Sequence, residues 1–341
     1  MKVTVGIIAL NEQDNISALF DNLLSQTYPK QDTQIILVDS GSTDDTKGMM
    51  QRFAQEHGEY WSIKVLDNVG RVQPSGWNVV VDNADGEIII RVDAHALIPD
   101  DFVAKNVECI ESGEDVCGGR RINIINSSKA SKRVLLMAKN SMFGAGIAGY
   151  RRETTKEYVK TVAHACYKKQ VFDKVGKFDE RLLRAEDNDM HYRIRQAGYK
   201  ICKSGEILSQ YQTRPTFKGM VKQKFGNGKW IGVASAIKTP KMFSLYHFVP
   251  MLFVLGLLVA TALLIPAIVD FARLWWLGLP FACGVGAYIL CDLLLTLKSV
   301  IDYKTPLGLI TLPFLFPILH ISYGLGTWVG LATAGKYKEK K

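Results

Sequence analysis

The chain has 341 residues, of which 48% are hydrophobic and 22% are charged, and its formal net charge at pH 7 is +9. This composition excludes wholesale disorder, and the length allows one or two folded units, since a domain takes about 100 to 200 residues. The six cysteines contain no C-x-x-C pair and no dense framework of the kind found in small secreted domains, so reduced thiols are expected.

Short β-branched runs alternate with amphipathic stretches in the first part of the chain. The predicted strands are Lys2–Ala9, Gln34–Val38, Ser62–Leu66 and Glu87–Val92, and the predicted helices are Asp14–Ser25, Thr43–His57 and Pro74–Asn83. This alternation predicts an α/β fold with a doubly wound, mostly parallel sheet. Such sheets bind ligands beyond the carboxyl ends of their strands, so the residues that follow each strand are the candidate site.

Polar side chains follow all four predicted strands. They are Asn11, Glu12, Asp39, Arg71, Asp93 and His95. Neither G-x-G-x-x-G nor a P-loop follows the first strand, which disfavours both kinds of nucleotide site. Ser42 and Thr43 precede acidic residues and are interpreted as helix N-caps. Asp39 stands before this cap and is the better ligand candidate, the alternative being a loop carboxylate satisfied by its neighbours.

An acidic segment, Ala185-Glu186-Asp187-Asn188-Asp189, opens a later helical run. Together with IIALNEQDNI, VDSGSTDDT and the D-x-D-like Asp93-Ala94-His95 after GEIIIRV, it resembles family 2 inverting glycosyltransferases of the GT-A fold. The similarity covers roughly residues 1–241. The IRVDAHA phrase and the succession FGAG, KKQVFDKVGKFDE and EDND resemble membrane-bound, succinoglycan-type glucosyltransferases of bacterial polysaccharide biosynthesis.

This resemblance implies a nucleotide-sugar donor and a role for several of these side chains. The expected donor is a UDP-sugar, such as UDP-glucose. By resemblance, Asp39 would hydrogen-bond the base, Asn11 and Glu12 would line the same pocket, and Asp93 would touch the ribose or diphosphate. Arg71 can meet the diphosphate as a fixed cation, the alternative being a solvated loop arginine.

Sugar transfer leaves a diphosphate anion, and the negative charge has to be neutralised where it develops. Mg²⁺ or Mn²⁺ does this through one or two protein ligands plus phosphate oxygens. Asp93 and His95 are two residues apart and can reach one ion, and the imidazole favours Mn²⁺. The alternative for His95 is packing against its loop.

The acceptor hydroxyl needs a base, and direct displacement with one carboxylate inverts the anomeric centre. By resemblance to the family, the second residue of the ED pair is this base, which is Asp187. The alternative is that Glu186, Asp187 and Asp189 form a negative first turn that complements the helix dipole. We expect Asp187 to be the base and Asp189 to be part of the helix start.

The last third of the chain contains three long apolar runs. No charged residue occurs over the 28 residues from Met242 to Val269, and a membrane-spanning helix needs only about 20. Leu274–Leu297 carries one charge, and Thr305–Gly335 carries none. The predicted organisation is a catalytic domain at 1–206, a basic juxtamembrane segment at 207–241, a membrane domain at 242–335 and a Lys-rich tail at 336–341.

The charge distribution predicts which side of the membrane each part occupies. Residues 207–241 contain one arginine and six lysines without an acidic residue, a positive-inside pattern that also attracts anionic lipid. The start of the chain has no signal-peptide pattern, so the catalytic domain is expected in the cytoplasm, held at the cytoplasmic membrane by a multi-pass anchor. Much of the net charge of +9 resides in this basic segment and in the Lys-rich tail, so no nucleic-acid partner is expected.

Three complete spans would place the Lys-rich tail outside the cell, against the positive-inside rule. The third run is therefore predicted not to cross. Pro313 and Pro317 are expected to break the helix, and Gly324, Gly326 and Gly330 permit a tight turn, as in a hairpin or an interfacial pair of helices.

The sequence gives weaker indications of the residues that bind the acceptor. Gln223, Lys229 and Trp230 are candidate acceptor-side residues with Glu186, but their spacing departs from the Q-x-x-R-W of processive synthases, so polymer extrusion is not expected. His164 stands where a small, glycine-containing stretch is typical, and Met142–Gly149 is predicted to be a flexible acceptor loop.

The sequence thus predicts transfer of one sugar to a glycan linked to polyprenyl diphosphate. Two alternatives remain open. A polyprenyl-phosphate glycosyl synthase would use the lipid phosphate as nucleophile and would not need Asp187 as a base. A non-catalytic membrane subunit would only bind the nucleotide sugar.

Overall fold

The computed structural model describes residues 1–144 and 155–338. The chain forms two compact units, the first from residues 1–124 and 148–212 and the second from residues 125–147 and 213–341. Residues 145–149 of the predicted acceptor loop and residues 339–341 of the tail lie outside the described part. All six cysteines are free thiols, as expected.

A mixed sheet is the framework of the first unit. Its strands are β1 (Val3–Ala9), β2 (Thr33–Asp39), β3 (Ser62–Asp67), β4 (Ile88–Asp93), β5 (Ala96–Leu97), β6 (Val116–Ile124), β7 (Lys156–Tyr158), β8 (Ala163–Lys168) and β9 (Cys202–Gln212). Over the described residues the strand order is β3-β2-β1-β4-β8-β6-β9-β5, with β7 paired to β9. Strands β1 to β4 are parallel neighbours, which confirms the predicted arrangement, and β8 joins β4 and β6 in antiparallel orientation.

Helices belong to both units. In chain order they are α1 (Ile16–Leu24), α2 (Thr46–Glu56), α3 (Gln73–Asn83), α4 (Phe102–Glu111), α5 (Ala130–Asn140), α6 (Gln170–Val175), α7 (Glu186–Gln196), α8 (Phe217–Ile237), α9 (Val249–Val269), α10 (Phe271–Leu274), α11 (Leu279–Tyr303) and α12 (Gly308–Thr333). Helix α5 and helices α8 to α12 belong to the second unit. The three predicted helices between the first four strands are present as α1, α2 and α3.

Apolar side chains cover both faces of the sheet in the first unit. One core contains Val5 and Ile7 of β1 with Leu19 of α1. The other contains Trp77 and Val80 of α3 with Ile36 of β2 and Met190 of α7. Such two-sided burial is typical of parallel strands that carry helices on each face. It holds the carboxyl ends of the strands rigidly.

The second unit contains helices that are long and apolar enough to cross a membrane. They are Val249–Val269, Phe271–Tyr303 and Gly308–Tyr337. The predicted break in the last one is wrong, because α12 runs without interruption through Pro313 and Pro317. Each proline removes only its own N–H, and packing against neighbouring helices keeps the chain in line.

The glycines of α12 do not form a turn either. Gly326 and Gly330 lie inside the helix, where an added Cβ would come within 2.2 Å of the Phe225 carbonyl oxygen and 2.0 Å of the Lys229 carbonyl oxygen. Their physical role is therefore close approach of two helix backbones, α12 and α8, rather than chain reversal.

Candidate active site

The loops after β1 and β2 are joined by hydrogen bonds. The Asn11 backbone N–H donates to Ser42 Oγ at 3.0 Å, and the Thr43 backbone N–H donates to Asn11 Oδ1 at 2.8 Å. The predicted capping role of Ser42 and Thr43 is wrong, because α2 begins later, at Thr46, whose N–H donates to Asp44 Oδ1. The two hydroxyl residues instead tie the second loop to Asn11, which itself has a positive φ of 55°.

Asp39 ends β2 and is 3% exposed. Its carboxylate accepts hydrogen bonds from the backbone N–H groups of Gly41 and Ser42 at 3.1 and 3.2 Å. Gly41 has a φ of +84°, and an added Cβ would lie 3.0 Å from Arg71 Nε. The structure therefore places the Arg71 side chain against the loop that Asp39 organises, as the strand-end prediction expected.

Glu12 and His95 meet across the ends of β1 and β4. Glu12 Oε1 lies 3.1 Å from His95 Nδ1, and the imidazole meets the Tyr211 ring edge-on at 5.3 Å between centroids. A carboxylate on one ring nitrogen is typical of histidines that bind a metal through the other nitrogen. His95 is thus oriented by Glu12 as well as packed against its neighbours.

Asp93 stands at the carboxyl end of β4 with an unexpected partner. His164 Nε2 of β8 lies 3.2 Å from Asp93 Oδ2, and the side chains of His164 and Asp93 are 3% and 25% exposed. Burial by itself would raise the pKa of Asp93, but His164, His95 and Arg91 outweigh it and lower that pKa below its usual range. Asp93 is therefore an ionised carboxylate at neutral pH.

Arg91 connects this strand to the acidic segment of α7. Its Nη2 atom lies 3.3 Å from Glu186 Oε1, and its guanidinium stacks 4.2 Å from the Trp77 ring and 5.0 Å from the Phe178 ring. Burial and the Asp187 carboxylate raise the pKa of Glu186 to about 7, although Arg91 opposes this shift. The guanidinium also interacts electrostatically with Asp93 and Asp187.

Asp187 opens α7 and is half-buried. Its Oδ1 atom accepts hydrogen bonds from the Asn188 backbone N–H at 2.7 Å and from Asn188 Nδ2 at 2.9 Å. Asp189 behaves differently, because it is 2% exposed and accepts from Arg193 Nε at 2.8 Å within the helix. The structure is therefore consistent with a structural Asp189 and leaves Asp187 more accessible.

The remaining candidates lie elsewhere. Gln223, Lys229 and Trp230 are on α8 of the second unit, and Trp230 is buried with its ring 5.0 Å from that of Tyr337. Their acceptor-side role stays a prediction. Within the first unit, the strand-end residues and the Glu186-Asp187 pair are linked through Arg91 and Asp93.

Sequence reasoning missed the roles of Arg91 and His164. The signal for Arg91 is a charge inside the apolar run IIIRV, which is unusual in a strand buried on both faces. For His164 the sequence indicates only a departure from a glycine-containing stretch. Its contact with Asp93 depends on the antiparallel pairing of β8 with β4, which the sequence does not reveal.

The described residues fit a cation whose coordination shell is completed by the phosphate oxygens of a bound ligand. Over residues 1–144 and 155–338, no three His, Cys, Asp or Glu side chains form a cluster that could hold a metal ion by itself. Mg²⁺ and similar ions need no such cluster, since they bind one or two carboxylates together with substrate phosphates. The ionised Asp93 is a carboxylate of that kind, and the metal-binding role of Asp93 and His95 stays a prediction.

The comparisons with known proteins concern the family and the fold. The profile described as Glycosyl transferase family 2 matches residues 4–176. The succinoglycan biosynthesis protein ExoA of Rhizobium meliloti (strain 1021) is 30% identical over 230 residues, covering 66% of this chain and 67% of that protein. The chain belongs to glycosyl transferase family 2, as the motifs predicted.

Two further proteins are similar over nearly the whole chain. The dolichyl N-acetyl-alpha-D-glucosaminyl phosphate 3-beta-D-2,3-diacetamido-2,3-dideoxy-beta-D-glucuronosyltransferase of Methanococcus voltae is 26% identical over 330 residues, covering 94% of this chain and 95% of that protein. The mannosyltransferase PcManGT from Pyrobaculum calidifontis, solved with GDP-Man and Mn²⁺, covers 97% of this chain and 87% of its own, with a TM-score of 0.58 and 19% identity. The predicted GT-A-type fold is confirmed.

Proposed function

We propose that this chain is an inverting, metal-dependent glycosyltransferase that moves one sugar from a nucleotide diphosphate to a polyprenyl phosphate-linked acceptor at the cytoplasmic face of the membrane. The specific form we propose is a UDP-sugar donor and a glycan on polyprenyl diphosphate. Family membership supports the reaction class. The relative from Methanococcus voltae, whose name specifies a dolichyl phosphate-linked sugar, supports the lipid acceptor.

The contact between Arg91 and Glu186 is the main structural support for the proposal. It joins the strand that ends in Asp93 to the helix that begins with Asp187, so the donor-side carboxylate and the candidate base share one buried cation. Positioning of reacting groups within a few tenths of an ångström is worth several kcal/mol in catalysis. A buried, stacked arginine provides such positioning because it cannot change its charge.

The donor would bind along the strand ends. Asp39 would hydrogen-bond the base, while Asn11 and Glu12 line the pocket. Arg71, which lies against Gly41, would face the diphosphate as a fixed cation. The hydrogen bonds that the Gly41 and Ser42 backbone N–H groups donate to the Asp39 carboxylate would keep this loop in one conformation before the nucleotide arrives.

Asp93 and His95 would hold Mn²⁺ or Mg²⁺, with Glu12 orienting the His95 ring. When bound there, such a cation would neutralise the negative charge on the leaving diphosphate. The imidazole favours Mn²⁺ over the harder Mg²⁺, and Mn²⁺ is the ion in the PcManGT complex.

Asp187 would act on the acceptor. Its carboxylate takes the proton of the acceptor hydroxyl as the hydroxyl oxygen forms a bond to the anomeric carbon, and the bond from that carbon to the diphosphate oxygen breaks. The products are the extended acceptor, the nucleoside diphosphate and a protonated Asp187. A single displacement of this kind inverts the anomeric centre.

The test is the substitution Asp187→Asn in the full-length protein, with Asp173→Asn in α6 as a matched control. We expect the first variant to lose transfer by at least about a hundredfold, the typical contribution of a general base, while its affinity for the donor changes little. Transfer is measured with labelled nucleotide sugars, with and without Mn²⁺, by extraction of the lipid fraction.

Three results would contradict the proposal. Full turnover by Asp187→Asn would exclude its role as base. Transfer only to bare polyprenyl phosphate, insensitive to this substitution, would identify a polyprenyl-phosphate glycosyl synthase. Donor binding by the unmodified protein without transfer or hydrolysis would identify a non-catalytic subunit.

A further inference from the structure

We propose that Asn68 is a positioning residue for the donor. It sets the separation between Asp39 and Arg71, so that both side chains can bind the same nucleoside diphosphate at once. This role rests on the function proposed above, in which Asp39 contacts the base and Arg71 contacts the diphosphate. Asn68 itself would touch neither part of the donor.

Asn68 lies directly after β3, beside the end of β2, and is 3% exposed. Its backbone N–H donates to the Asp39 carbonyl oxygen at 2.7 Å. A buried asparagine side chain has two amide donors and one carbonyl acceptor that need partners. The partners of these groups show which parts of the site Asn68 connects.

Both donors of the Asn68 amide are used. Nδ2 donates to Ser40 Oγ, in the loop after β2, at 3.0 Å, and to the Val72 carbonyl oxygen, just before α3, at 2.8 Å. The Val72 carbonyl can only accept, which fixes the orientation of the amide. Ser40 directly follows Asp39, and Val72 directly follows Arg71. One amide group therefore links the loop that carries Asp39 to the turn that carries Arg71.

The acceptor of the Asn68 amide is also used. Ser75, in the first turn of α3 and 6% exposed, donates from Oγ to Asn68 Oδ1 at 2.6 Å. Gly70 packs against the same serine, since an added Cβ would lie 2.5 Å from Ser75 Oγ. The turn from Gly70 to Val72 is thus held to α3 and, through Asn68, to the loop after β2.

Arg71 has a backbone conformation that its neighbours have to hold. Its φ is +54°, in the left-handed region that residues with a Cβ seldom adopt. The Arg71 backbone N–H donates to the Asn68 carbonyl oxygen at 3.0 Å. Asn68 therefore holds this turn through its main chain and its side chain, and the direction of the Arg71 side chain depends on both.

The guanidinium of Arg71 lies against the loop after β2. An added Cβ on Gly41 would lie 3.0 Å from Arg71 Nε and 3.3 Å from Arg71 Cζ. Arg71 is exposed, and in the part of the chain that the structure describes no carboxylate forms an ion pair with it. Its guanidinium is thus open to a ligand and can bind two phosphate oxygens side by side.

Asp39 and Arg71 would act on the two ends of one molecule. The ribose of a nucleotide limits the distance between its base and its second phosphate group. Two contacts with one ligand reinforce each other only when the protein presents them at a separation that the ligand can span. Asn68, bonded to both loops, sets that separation. A nucleoside monophosphate lacks the second phosphate group and should gain less from it.

Isothermal titration of the full-length protein in detergent, at a fixed concentration of Mn²⁺, tests this role. The quantity compared is the ratio of the Kd for UMP to the Kd for UDP, called the diphosphate preference below. The variants are Asn68→Ala, Arg71→Ala and the double variant. Asn106→Ala is the matched control, because Asn106 in α4 is equally buried and its Nδ2 donates to the Phe102 carbonyl oxygen at 2.8 Å.

We expect Arg71→Ala to weaken UDP binding by about 10- to 100-fold, the range for hydrogen bonds to charged groups. Asn68→Ala should lower the diphosphate preference by about tenfold, because the guanidinium is then misplaced. Since Asn68 acts through Arg71, its substitution in the Arg71→Ala background should change the preference by less than about twofold. Asn106→Ala should leave the preference unchanged.

An unchanged diphosphate preference in Asn68→Ala would overturn this role and leave the proposed donor intact. A loss of the same size with and without Arg71 would also overturn it. If the unmodified protein binds GDP and not UDP, only the proposed base is wrong, and the same ratios are measured with GDP and GMP. Failure of the unmodified protein to bind either diphosphate would overturn the proposed function and the role of Asn68 together.

A second variant covers the case in which Asn68→Ala does not fold, as judged by its melting temperature. Ser40→Ala removes one acceptor of the Asn68 amide and leaves the bonds to Val72 and Ser75 in place. We expect it to lower the diphosphate preference by about three- to tenfold, the usual net effect of one hydrogen bond. A preference equal to that of the unmodified protein would contradict the link between the two loops.

Discussion

The guanidinium of Arg91 lies 3.3 Å from the carboxylate of Glu186, and this contact joins β4 to the start of α7. Both groups are buried, and the arginine is stacked on Trp77. A buried ion pair is weak support for stability, but the loss of one partner leaves a costly unpaired charge. The pair therefore makes the position of Asp187 depend on Arg91.

Replacement of Arg91 tests this dependence. At pH 9, where Glu186 with its pKa of about 7 is ionised in the unmodified protein, Arg91→Met should lower the free energy of unfolding by about 3 to 5 kcal/mol, because Glu186 then has to be buried as an unpaired carboxylate or take up a proton. Arg91→Met combined with Glu186→Gln should recover part of that loss, since the uncompensated charge is removed. Denaturant unfolding in detergent measures both variants. A double variant no more stable than the single one would contradict the pairing.

Arg91→Lys tests geometry separately from charge. Lysine keeps the positive charge but loses the planar group that contacts the Trp77 and Phe178 rings. We expect a folded protein with a lower kcat and an almost unchanged KM for the donor, because Asp187 is displaced while the nucleotide pocket is intact. An unchanged kcat would show that turnover does not depend on the stacking of the guanidinium on these rings.

His164 is expected to position Asp93. His164→Leu removes the imidazole next to the carboxylate, whereas His164→Asn keeps a hydrogen-bond donor. The leucine variant should need on the order of tenfold more Mn²⁺ than the unmodified protein for half-maximal donor binding, which is the lower end of the usual effect of residues that orient metal ligands. The asparagine variant should need less Mn²⁺ than the leucine variant. Isothermal titration with Mn²⁺ and the nucleoside diphosphate measures this. Cys166→Ala, in the same strand, is the control and should leave the Mn²⁺ requirement unchanged.

His191 makes the first unit sensitive to acid. Its ring is 1% exposed, with Nδ1 2.8 Å from Thr161 Oγ1 and Nε2 3.0 Å from the Tyr167 hydroxyl oxygen. Burial, aided by Arg91 and Arg195 and opposed by Asp187, lowers its pKa to about 4. The unfolded chain, with an ordinary value near 6.5, then binds the extra proton first.

Stability is therefore expected to fall as the pH decreases from about 6.5 to 4, by up to about 3 kcal/mol. His191→Gln should remove that part of the pH dependence. Glu186, whose pKa is raised to about 7, makes the protein more stable as the pH falls from about 7 and so opposes the effect of His191. Because Glu186 is present in both proteins, its contribution cancels when their pH dependences are compared. Unfolding at several pH values measures the difference, and parallel curves for the two proteins would contradict the assignment.

The contact between α8 and α12 gives a prediction with a matched control. Gly228→Ala places a Cβ 2.0 Å from the Tyr323 carbonyl oxygen, so the helices must separate, at a cost of about 1 to 3 kcal/mol. Gly256→Ala in α9 has nothing within 4 Å and should be neutral or slightly stabilising. Thermal unfolding in detergent compares them, and equal melting temperatures would exclude a close helix contact.

Much of the fold could be predicted because it depends on local periodicity. The first four strands and three helices follow from runs of β-branched and amphipathic residues, and their order implies parallel pairing. The placement of Asn11, Asp39, Arg71 and Asp93 at one edge follows from the same rule. The three apolar runs were evident because a spanning helix needs only length and low polarity.

The family, the parallel half of the sheet and the apolar character of the last third can thus be inferred from the order of the residues. The contacts of His164 with Asp93 and of Arg91 with Glu186, and the packing of α5 with α8 and α12, became evident only from the folded chain. The first two contacts join residues that are 71 and 95 positions apart, and the cluster that contains Val134 of α5 and Met220 of α8 joins residues that are 86 positions apart. Short-range patterns report which face of a helix or strand is buried, but the partner across that face depends on how distant elements pack.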